Sequence, residues 1–304
     1  IYDFIIKAGV RDIGETDDPH LKKIYKDEST KIYDFFADEF YGIEKTISQI
    51  VRYCHAASLK GEESRQVLYL MGPVGSGKSS LVEKIHRGLE TSDPVYAIEK
   101  CPMFEEPLHL IPRHLRKEFE KMLGVHIEGD LCPVCRYRLK EEFKGKYEEF
   151  PICTIEFSKR ARVGTAVVPP VDPNNQDTSV LIGSEDISKL DLYSEGDPRV
   201  LELNGALNVG NRGMVEFIEV FKNEVEYLHC MITATQEKVV PAPGRHGLVY
   251  VDTVIIAHSN EAEWQKFKAD HTNEAILDRI VVVKVSYNLR LSEEVKIYQK
   301  IIRN

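Results

Sequence analysis

The phosphate-loop pattern G-x-x-x-x-G-K-[ST] is matched in this chain by Gly72-Pro73-Val74-Gly75-Ser76-Gly77-Lys78-Ser79. Glycines at these spacings let successive backbone N–H groups turn inward and bind the phosphate oxygens of a nucleotide. Lys78 is then expected to contact the β- and γ-phosphates and to act in catalysis, while the hydroxyl of Ser79 is a ligand for Mg²⁺. We therefore predict a nucleotide-binding loop that extends from Gly72 to Ser80.

The residues on either side of this loop have the patterns of a strand and a helix. Val67–Met71 is a short apolar run, which predicts a buried strand, and apolar residues recur at helical spacing in 80–89. Val95–Ile98 is interpreted as the next strand. A strand, a glycine loop, a helix and another strand begin a parallel α/β sheet. An ordinary glycine turn is the alternative, and the flanking strand and helix argue against it.

Three later apolar runs continue this alternation of strands with helix-compatible stretches, at residues 214–218, 253–257 and 280–285. Residues 164–200, which precede these three runs, are rich in Pro, Asp, Asn, Ser and Gly, and this composition predicts a loop. The predicted fold class is therefore α/β, with a P-loop NTPase core arranged around a parallel sheet.

The composition indicates a globular protein and argues against several other classes. The chain has 304 residues, 42% of them apolar and 29% charged, which suggests about two domains and rules out disorder. The net charge of −9 disfavours binding to nucleic acid through a positive field. Six cysteines are too few for a disulfide scaffold, and no apolar run is long enough to span a membrane.

The two ends of the sequence suggest a piece of a longer protein. The chain begins at Ile1 and not at Met, which suggests a trimmed fragment from which a leader could have been lost. No charged leader followed by an apolar segment is visible in these residues, and we expect a cytoplasmic location. The helical pattern after Ser292 still continues at Asn304.

The nucleotide is predicted to be ATP, because the motifs of two other nucleotide-using classes are missing from the sequence. The GTPase base-reading motif N-K-x-D does not occur. The H-R-D catalytic loop and the D-F-G triplet of common eukaryotic protein kinases do not occur either.

Beyond the phosphate loop, most of residues 32–300 resembles the ATPase module of the PrkA family of serine protein kinases. The resemblance is carried by IYDFFADEFYGIEKTISQIVRY, GPVGSGKSSL, CPMFEEPLHLIP, NNQDTSVLIGSEDISKL, LNGALNVGNRGMVEFIEVFK, ITATQEK, IIAHSNEAEW and NEAILDRIVVVKVSYNLRLSEEVKIY. It implies an AAA+ P-loop ATPase, which a C-terminal kinase-like region follows in full-length members. We accordingly expect an N-terminal helical segment over 1–40, an AAA+ core over 41–286 with an insertion at about 101–200, and the start of a helical lid over 287–304.

The resemblance also implies which carboxylates act in the reaction. Glu219, directly after the apolar run 214–218, corresponds to the Walker B glutamate that orients or deprotonates the attacking water. AAA+ proteins usually have Asp before this Glu, and this chain has Ile218 there. Magnesium is therefore expected at Ser79 with water, or at Glu216.

Three further positions take roles from the same resemblance. Asn260 resembles sensor 1, a polar side chain beside the γ-phosphate. Arg279 resembles an arginine finger, which stabilises the transition state in a neighbouring subunit. The segment Tyr41-Gly42-Ile43 resembles the segment that lines the adenine pocket. The alternatives are a surface charge for Glu219, a turn residue for Asn260 and a surface arginine at a helix end for Arg279.

A C-x-x-C turn at Cys132 and Cys135 lies within the expected insertion. Two thiolates are half of a tetrahedral zinc site, so Zn²⁺ is a second predicted metal. Candidates for the other ligands are Cys101, Cys153, His109 and His126. A redox-active cysteine pair and ordinary free thiols are the two alternatives.

Three functions are compatible with these motifs. The first is the ATP-binding and ATP-hydrolysing module of a PrkA-type serine protein kinase, as the family resemblance implies. The second is a remodelling or proteolytic machine that acts on a protein client, and the third is an ATP-dependent regulatory switch. An arginine finger also implies that the full-length protein forms a homo-oligomer. No membrane or nucleic-acid partner is expected.

Overall fold

The computed structural model describes residues 1–13, 19, 30–170, 177–223, 225–288 and 290–303. These residues form two compact units. The first unit contains Ile1–Leu89, Glu219–Phe221 and Ile256–Asn304, and the second contains Glu90–Ile218 and Lys222–Ile255. The phosphate loop therefore belongs to the first unit and the expected insertion to the second. The domain boundaries inferred from the sequence stay predictions.

Thirteen strands occur in the described residues. In chain order they are β1 (Val10–Asp12), β2 (Lys31–Tyr33), β3 (Val67–Met71), β4 (Val95–Ile98), β5 (Ile152–Ile155), β6 (Thr165–Val168), β7 (Ser184–Glu185), β8 (Leu201–Glu202), β9 (Met214–Ile218), β10 (Val239–Pro241), β11 (Leu248–Tyr250), β12 (Val254–Ser259) and β13 (Ile280–Lys284).

Five of these strands form the main sheet, in the order β13-β3-β12-β9-β6. Within the first unit β3 pairs in parallel with both β12 and β13, and within the second β6 pairs in parallel with β9. Almost every residue of β3, β9 and β12 is buried. These strands are covered on both faces, which is why they are continuous apolar runs in the sequence.

Two expectations for this sheet are wrong. Val95–Ile98 is a strand, but it pairs antiparallel with β5 in a separate sheet and does not continue the parallel one. Apolar patterning predicts a strand without specifying its partner, which only tertiary hydrogen bonds select. Thr165–Val168 is a strand of the main sheet, although it lies inside the predicted loop 164–200. Its four residues are outweighed by the polar ones that follow, of which 171–176 lie outside the described part.

The α-helices of the described residues are, in chain order, α1 (Tyr2–Lys7), α2 (Asp34–Ala37), α3 (Glu44–Ser58), α4 (Lys78–Glu90), α5 (Arg116–Leu123), α6 (Pro133–Glu141), α7 (Ser179–Ile182), α8 (Ala206–Val209), α9 (Val225–Gln236), α10 (Glu261–Ala269), α11 (Glu274–Leu277) and α12 (Leu291–Arg303). Short 3₁₀ helices occur at Glu62–Arg65, Pro107–Leu110, Tyr147–Glu149, Ile187–Asp191, Pro198–Val200, Val220–Lys222 and His271–Asn273.

The helix that follows the phosphate loop is anchored by one apolar face. Leu81, Val82 and Ile85 of α4 are fully buried, at the helical spacing seen in the sequence. Full burial of such a side chain contributes about 1.5–3 kcal/mol, so this face fixes the position of the helix and of the loop at its N-terminus.

The N-terminal residues contain more than helices. Besides α1 and α2 they include the antiparallel pair of β1 and β2, and residues 14–18 and 20–29 of the expected helical segment lie outside the described part. At the other end α12 is described to Arg303, and Asn304 lies outside the description. None of the helices in the described ranges is long and apolar enough to cross a membrane.

Candidate functional site

The phosphate loop connects β3 to α4, which begins at Lys78. Gly75 and Gly77 have φ angles of +79° and +88°, in the left-handed region that glycine occupies without strain. Gly72 is needed for another reason, because a Cβ atom there would lie 2.0 Å from the carbonyl oxygen of Val285. The backbone of the loop therefore favours glycine at positions 75 and 77 through its φ angles, and at position 72 because there is no room for a Cβ atom.

The ammonium group of Lys78 is buried against the loop. It donates hydrogen bonds to the carbonyl oxygens of Gly72 at 2.8 Å and Pro73 at 2.7 Å, and only 9% of the residue is exposed. Burial lowers the pKa of Lys78, and the carboxylates of Glu219 and Glu263 oppose this shift. Two acidic side chains of the first unit thus supply the charge that stabilises the buried cation.

The serine hydroxyls of the loop differ in exposure. Ser79 and Ser80 are exposed in the first turn of α4. The hydroxyl of Ser76 is buried and has no hydrogen-bond partner among the described residues. An unpaired buried hydroxyl costs about 1–3 kcal/mol. A ligand with oxygen acceptors would therefore gain a hydrogen bond here, beside the positive N-terminal end of α4.

A cavity of about 580 Å³ lies beside the loop within the first unit. Its walls combine loop residues, the segment expected to line an adenine pocket, and side chains from β13 onward. They include Tyr41, Ile43, Gly75, Gly77, Ser80, Tyr287, Asn288 and Tyr298. This volume is in the range of small-molecule sites. The structure therefore places the predicted adenine segment and the predicted phosphate loop on one cavity.

The segment after β13 is hydrogen-bonded to both of these walls. The amide of Asn288 donates to the carbonyl oxygen of Tyr41 at 3.1 Å, and the hydroxyl of Tyr287 donates to that of Val74 at 2.5 Å. Gly42 has a φ of +75°, and a Cβ atom there would lie 2.6 Å from the side-chain nitrogen of Asn288. The glycine is thus required both by its backbone angle and by this close approach.

Several cavity residues were missed in the sequence. Tyr287 and Asn288 had no local signal, because their place in the cavity depends on the pairing of β13 with β3. On α12, Ile297, Tyr298 and Ile301 also line the cavity. The apolar spacing of Ile297 and Ile301, four residues apart, was a usable signal for a helix face that covers a ligand.

The predicted Walker B glutamate follows directly after β9. Glu219 has a φ of +49°, a conformation that is uncommon for a residue other than glycine and that clusters at functional sites. The charge of its carboxylate raises the pKa of Lys78 against the effect of burial. The carboxylate of Glu263 in α10 also raises the pKa of Lys78. The sequence analysis did not identify Glu263 as a site residue. Glu216 lies inside β9 and is 4% exposed.

Asn260 lies between β12 and α10 and caps the helix. Its side-chain oxygen accepts a hydrogen bond from the backbone N–H of Glu263 at 2.9 Å. The preceding residue, Ser259, has its hydroxyl 2.6 Å from that of Tyr69. Because β12 and β3 are parallel, Asn260 lies at the same edge of the sheet as the phosphate loop. Asn260 can therefore be both the residue that caps this turn and a sensor 1 residue, because the two interpretations do not exclude each other.

Arg279 lies at the edge of the sheet where β3 begins, whereas the phosphate loop lies at the edge where β3 ends. It comes just before β13, where Ile280 is paired with Val67 at the start of β3, whereas the loop follows the end of β3. The five residues of β3 separate these edges by roughly 16 Å. The side chain of Arg279 donates to the carbonyl oxygen of Ala275. Arg279 is therefore not placed to act on the loop of its own chain.

The second unit contains a buried cluster of ligand-type side chains. It comprises Cys101, Glu105, Cys132 and Cys135, whose ligand atoms all lie within 4.8 Å of one another. The predicted pair Cys132 and Cys135 is thus joined by Cys101, one of the candidate partners. Glu105 was missed, although it follows Cys101 by four residues. Burial, and then the charge of Cys101, raise the pKa of Glu105 to about 7.

The other candidate zinc ligands lie outside this cluster. Cys153 is a residue of β5, and His126 forms an ion pair with Glu120 at 2.7 Å. His109 is adjacent, with its Nδ1 atom 3.8 Å from Oε1 of Glu105.

The strand order and the phosphate loop after β3 make this chain an α/β P-loop NTPase of the AAA+ class. The solved complex between subunits BchI and BchD of magnesium chelatase has the same fold. It has a TM-score of 0.50 and 15% sequence identity, over 87% of this chain and 65% of that chain. The chain belongs to the PrkA AAA domain family, whose model matches residues 1–304. The predicted fold class and family are confirmed.

Two curated relatives are similar to most of this chain. The "ATP-dependent protease PrkA" of Bacillus subtilis (strain 168) is 43% identical, over 90% of this chain and 44% of the relative. The "Serine/threonine kinase YeaG" of Escherichia coli (strain K12) is 38% identical, over 94% of this chain and 45% of the relative. The chain spans less than half the length of these relatives.

Replacing Gly72 with Ala should destabilise the protein more than replacing Gly75 with Ala. A methyl group at Gly75 meets open space and costs only the left-handed backbone strain, about 1–2 kcal/mol. Gly72 has no left-handed φ, but a methyl group there would lie 2.0 Å from the carbonyl oxygen of Val285, so that backbone would have to move. Urea unfolding without nucleotide measures both costs, and equal values would show that this carbonyl moves away freely.

Proposed function

We propose that this chain binds ATP with Mg²⁺ and hydrolyses it, as the ATP-dependent module of a longer PrkA-family protein. The observation that carries this proposal is the single cavity lined by Gly75 and Gly77 and by Tyr41 and Ile43. A triphosphate needs inward-facing backbone N–H groups, and a purine base needs an apolar and aromatic wall. The cavity offers both kinds of surface in one space.

On binding, the phosphates take the place of the carbonyl oxygens that Lys78 now contacts. Charged phosphate oxygens accept stronger hydrogen bonds than neutral carbonyls, so this exchange favours the bound state. The backbone N–H groups of the loop and the N-terminal end of α4 supply the remaining donors. Ser79, exposed in the first turn of α4, is the proposed Mg²⁺ ligand together with water, and Glu216 is the alternative candidate.

Hydrolysis is assigned to the polar residues that follow two strands of the sheet. Glu219 orients and deprotonates the attacking water. The electrostatic effect of Glu219 on Lys78 supports this role, because Lys78 is the proposed contact of the γ-phosphate. Asn260 contacts the γ-phosphate as sensor 1. Lys78 stabilises the charge that develops on the transferred phosphoryl group. Glu263 balances the charge of Lys78 before nucleotide binds.

Arg279 is proposed to complete the active site of a neighbouring subunit. Its position at the opposite edge of its own sheet supports this, since a finger acts in trans. A contact in which one face of a subunit meets a different face of the next generates a ring when the rotation closes. The full-length protein is therefore proposed to be a homo-oligomer.

For the whole protein we propose ATP-dependent phosphorylation of protein serine, with a cytoplasmic location and a C-terminal kinase-like region outside this chain. The printed name of the Bacillus subtilis relative favours a second candidate, ATP-driven proteolysis of a protein client. Incubation of full-length protein with γ-labelled ATP and a candidate client separates them. Label on serine indicates a kinase, and client fragments with free phosphate indicate a protease. Free phosphate alone indicates a remodelling ATPase, and nucleotide binding without label, fragments or free phosphate would indicate a regulatory switch and refute hydrolysis.

Lys78→Ala should abolish ATP binding, because the loop loses the cation that faces the β- and γ-phosphates. Titration with a fluorescent ATP analogue measures the affinity. Lys266→Ala, which removes an exposed lysine from α10, is the matched control and should bind normally. Unchanged affinity in the Lys78 variant would contradict the phosphate-loop assignment.

Glu219→Gln should keep ATP binding and slow hydrolysis by about 10²-fold or more, the usual size of a general-base effect. Glu263→Gln is the comparison, because both carboxylates act on Lys78. Phosphate release and nucleotide affinity are measured for each variant. If Glu263→Gln or Glu216→Gln proves the more damaging change, the catalytic carboxylate has been assigned to the wrong position.

Arg279→Ala in the full-length protein should bind ATP normally and hydrolyse it slowly. Mixing this variant with Glu219→Gln subunits should restore part of the activity, because some interfaces then pair an intact Glu219 site with an intact Arg279. The ATPase rate of the mixture is compared with the mean rate of the separate variants. A full-length protein that stays monomeric with ATP and still hydrolyses it would exclude a finger in trans.

A further inference from the structure

The buried cluster of the second unit has the composition of a metal site. Cys101 follows β4, Glu105 lies four residues later, and Cys132 and Cys135 are at the start of α6. All four are buried, with Glu105 1% exposed. Thiolates together with one harder ligand suit Zn²⁺ better than Mg²⁺ or Ca²⁺, which prefer oxygen.

The spacing of the ligand atoms agrees with a single tetrahedral ion. Zinc bonds of about 2.3 Å to sulfur and 2.1 Å to oxygen place tetrahedral ligands roughly 3.6–3.8 Å apart. The ligand atoms of the cluster are all within 4.8 Å of one another, and Sγ of Cys101 lies 3.2 Å from Oε2 of Glu105. Only sub-ångström adjustments are needed for one ion to contact all four atoms.

The alternatives fit these side chains less well. Reactive cysteine pairs are partly exposed, whereas Cys132 and Cys135 are both 0% exposed. The C-x-x-C turn also opens α6 in a region whose strands β4 and β5 are antiparallel, unlike a thioredoxin-type βαβ unit. A bound cation would also offset the cost of burying the carboxylate of Glu105, which ordinary thiols do not offset.

The surroundings of the cluster hold its ligands in place. The backbone N–H of Cys132 donates to Oε1 of Glu105 at 2.6 Å, and that of Cys135 donates to Sγ of Cys132 at 3.4 Å. His109 donates through Nε2 to the carbonyl oxygen of Glu128 at 2.8 Å, which directs its Nδ1 side toward Glu105. Hydrogen bonds to metal ligands of this kind are typical of zinc sites.

We propose that Cys101, Glu105, Cys132 and Cys135 bind one structural Zn²⁺ ion. Four protein ligands leave no open position, so the site has a structural and not a catalytic role. The ion ties the turn after β4 to the start of α6. Within the same unit this turn is held by Asn211, whose amide donates to the carbonyl of Met103 at 2.9 Å. Asn211 lies three residues before β9, so zinc also supports the start of that strand.

Zinc content of the full-length protein, purified without chelator, tests the proposal directly. Cys132→Ser and Cys135→Ser should each contain about one zinc equivalent less than the wild type. Cys153→Ser is the matched control, because Cys153 is in the same unit but outside the cluster, and it should keep the wild-type content. Equal zinc content in all four proteins would refute the site.

Two further measurements keep the test decisive if a cysteine variant does not fold. Co²⁺ alone, added to the chelator-treated wild type, should give a thiolate-to-cobalt absorption band and the intense visible bands of a tetrahedral ion. The melting temperature should fall with chelator and return with Zn²⁺ alone. A protein with no cobalt band and an unchanged melting temperature has ordinary thiols, and a loss of two free thiols without metal indicates a disulfide. Either result overturns the proposal.

The role of Glu105 is tested separately. Glu105→Gln should release zinc to a competing chelator at least tenfold more readily than the wild type, while the cobalt band of the three thiolates is kept. Zinc affinity equal to that of the wild type would show that the carboxylate is not the fourth ligand.

Discussion

The burial of one lysine ammonium against a loop of backbone carbonyls is the interaction on which the first unit depends. Lys78 can reach the carbonyls of Gly72 and Pro73 only because the loop follows a backbone path that requires glycine. Its loss of hydration is offset by those hydrogen bonds and by the carboxylates of Glu219 and Glu263. The buried position of Lys78 therefore depends both on the path of the loop after β3 and on the charges of these two carboxylates.

The cavity beside the loop depends on contacts between distant parts of the chain. Tyr287 and Asn288 connect the phosphate loop to the segment before α3, and they can do so because β13 pairs with β3. In the second unit, a turn after β4 and the start of α6 are close in space although about thirty residues separate them. Each candidate site thus joins a recognisable local motif to residues that no local pattern marks.

The sequence predicted the phosphate loop and its flanking strand and helix, because strong apolar and glycine spacings reflect local backbone requirements. The PrkA family was identified through a resemblance that spans most of the chain. The same resemblance assigned roles to Glu219, Asn260 and the Tyr41-Gly42-Ile43 segment, and these roles stay predictions. The sequence patterns failed for β4 and β6. The apolar pattern of Val95–Ile98 is the same for parallel and antiparallel pairing. The strand Thr165–Val168 has only four residues and is followed by a polar stretch, so its apolar signal is too short to stand out.

The sequence by itself determined the position of the glycine loop between β3 and α4, since the φ angles of Gly75 and Gly77 and the reach of Lys78 are properties of a few consecutive residues. Only the tertiary structure decided which other side chains meet those groups. Asn288 against Gly42 and Glu105 beside Cys132 and Cys135 are contacts across long separations in the chain, and the charge of Glu263 acts on Lys78 from a distant segment. They arise from strand order and helix packing, which bring residues together regardless of their spacing in the sequence.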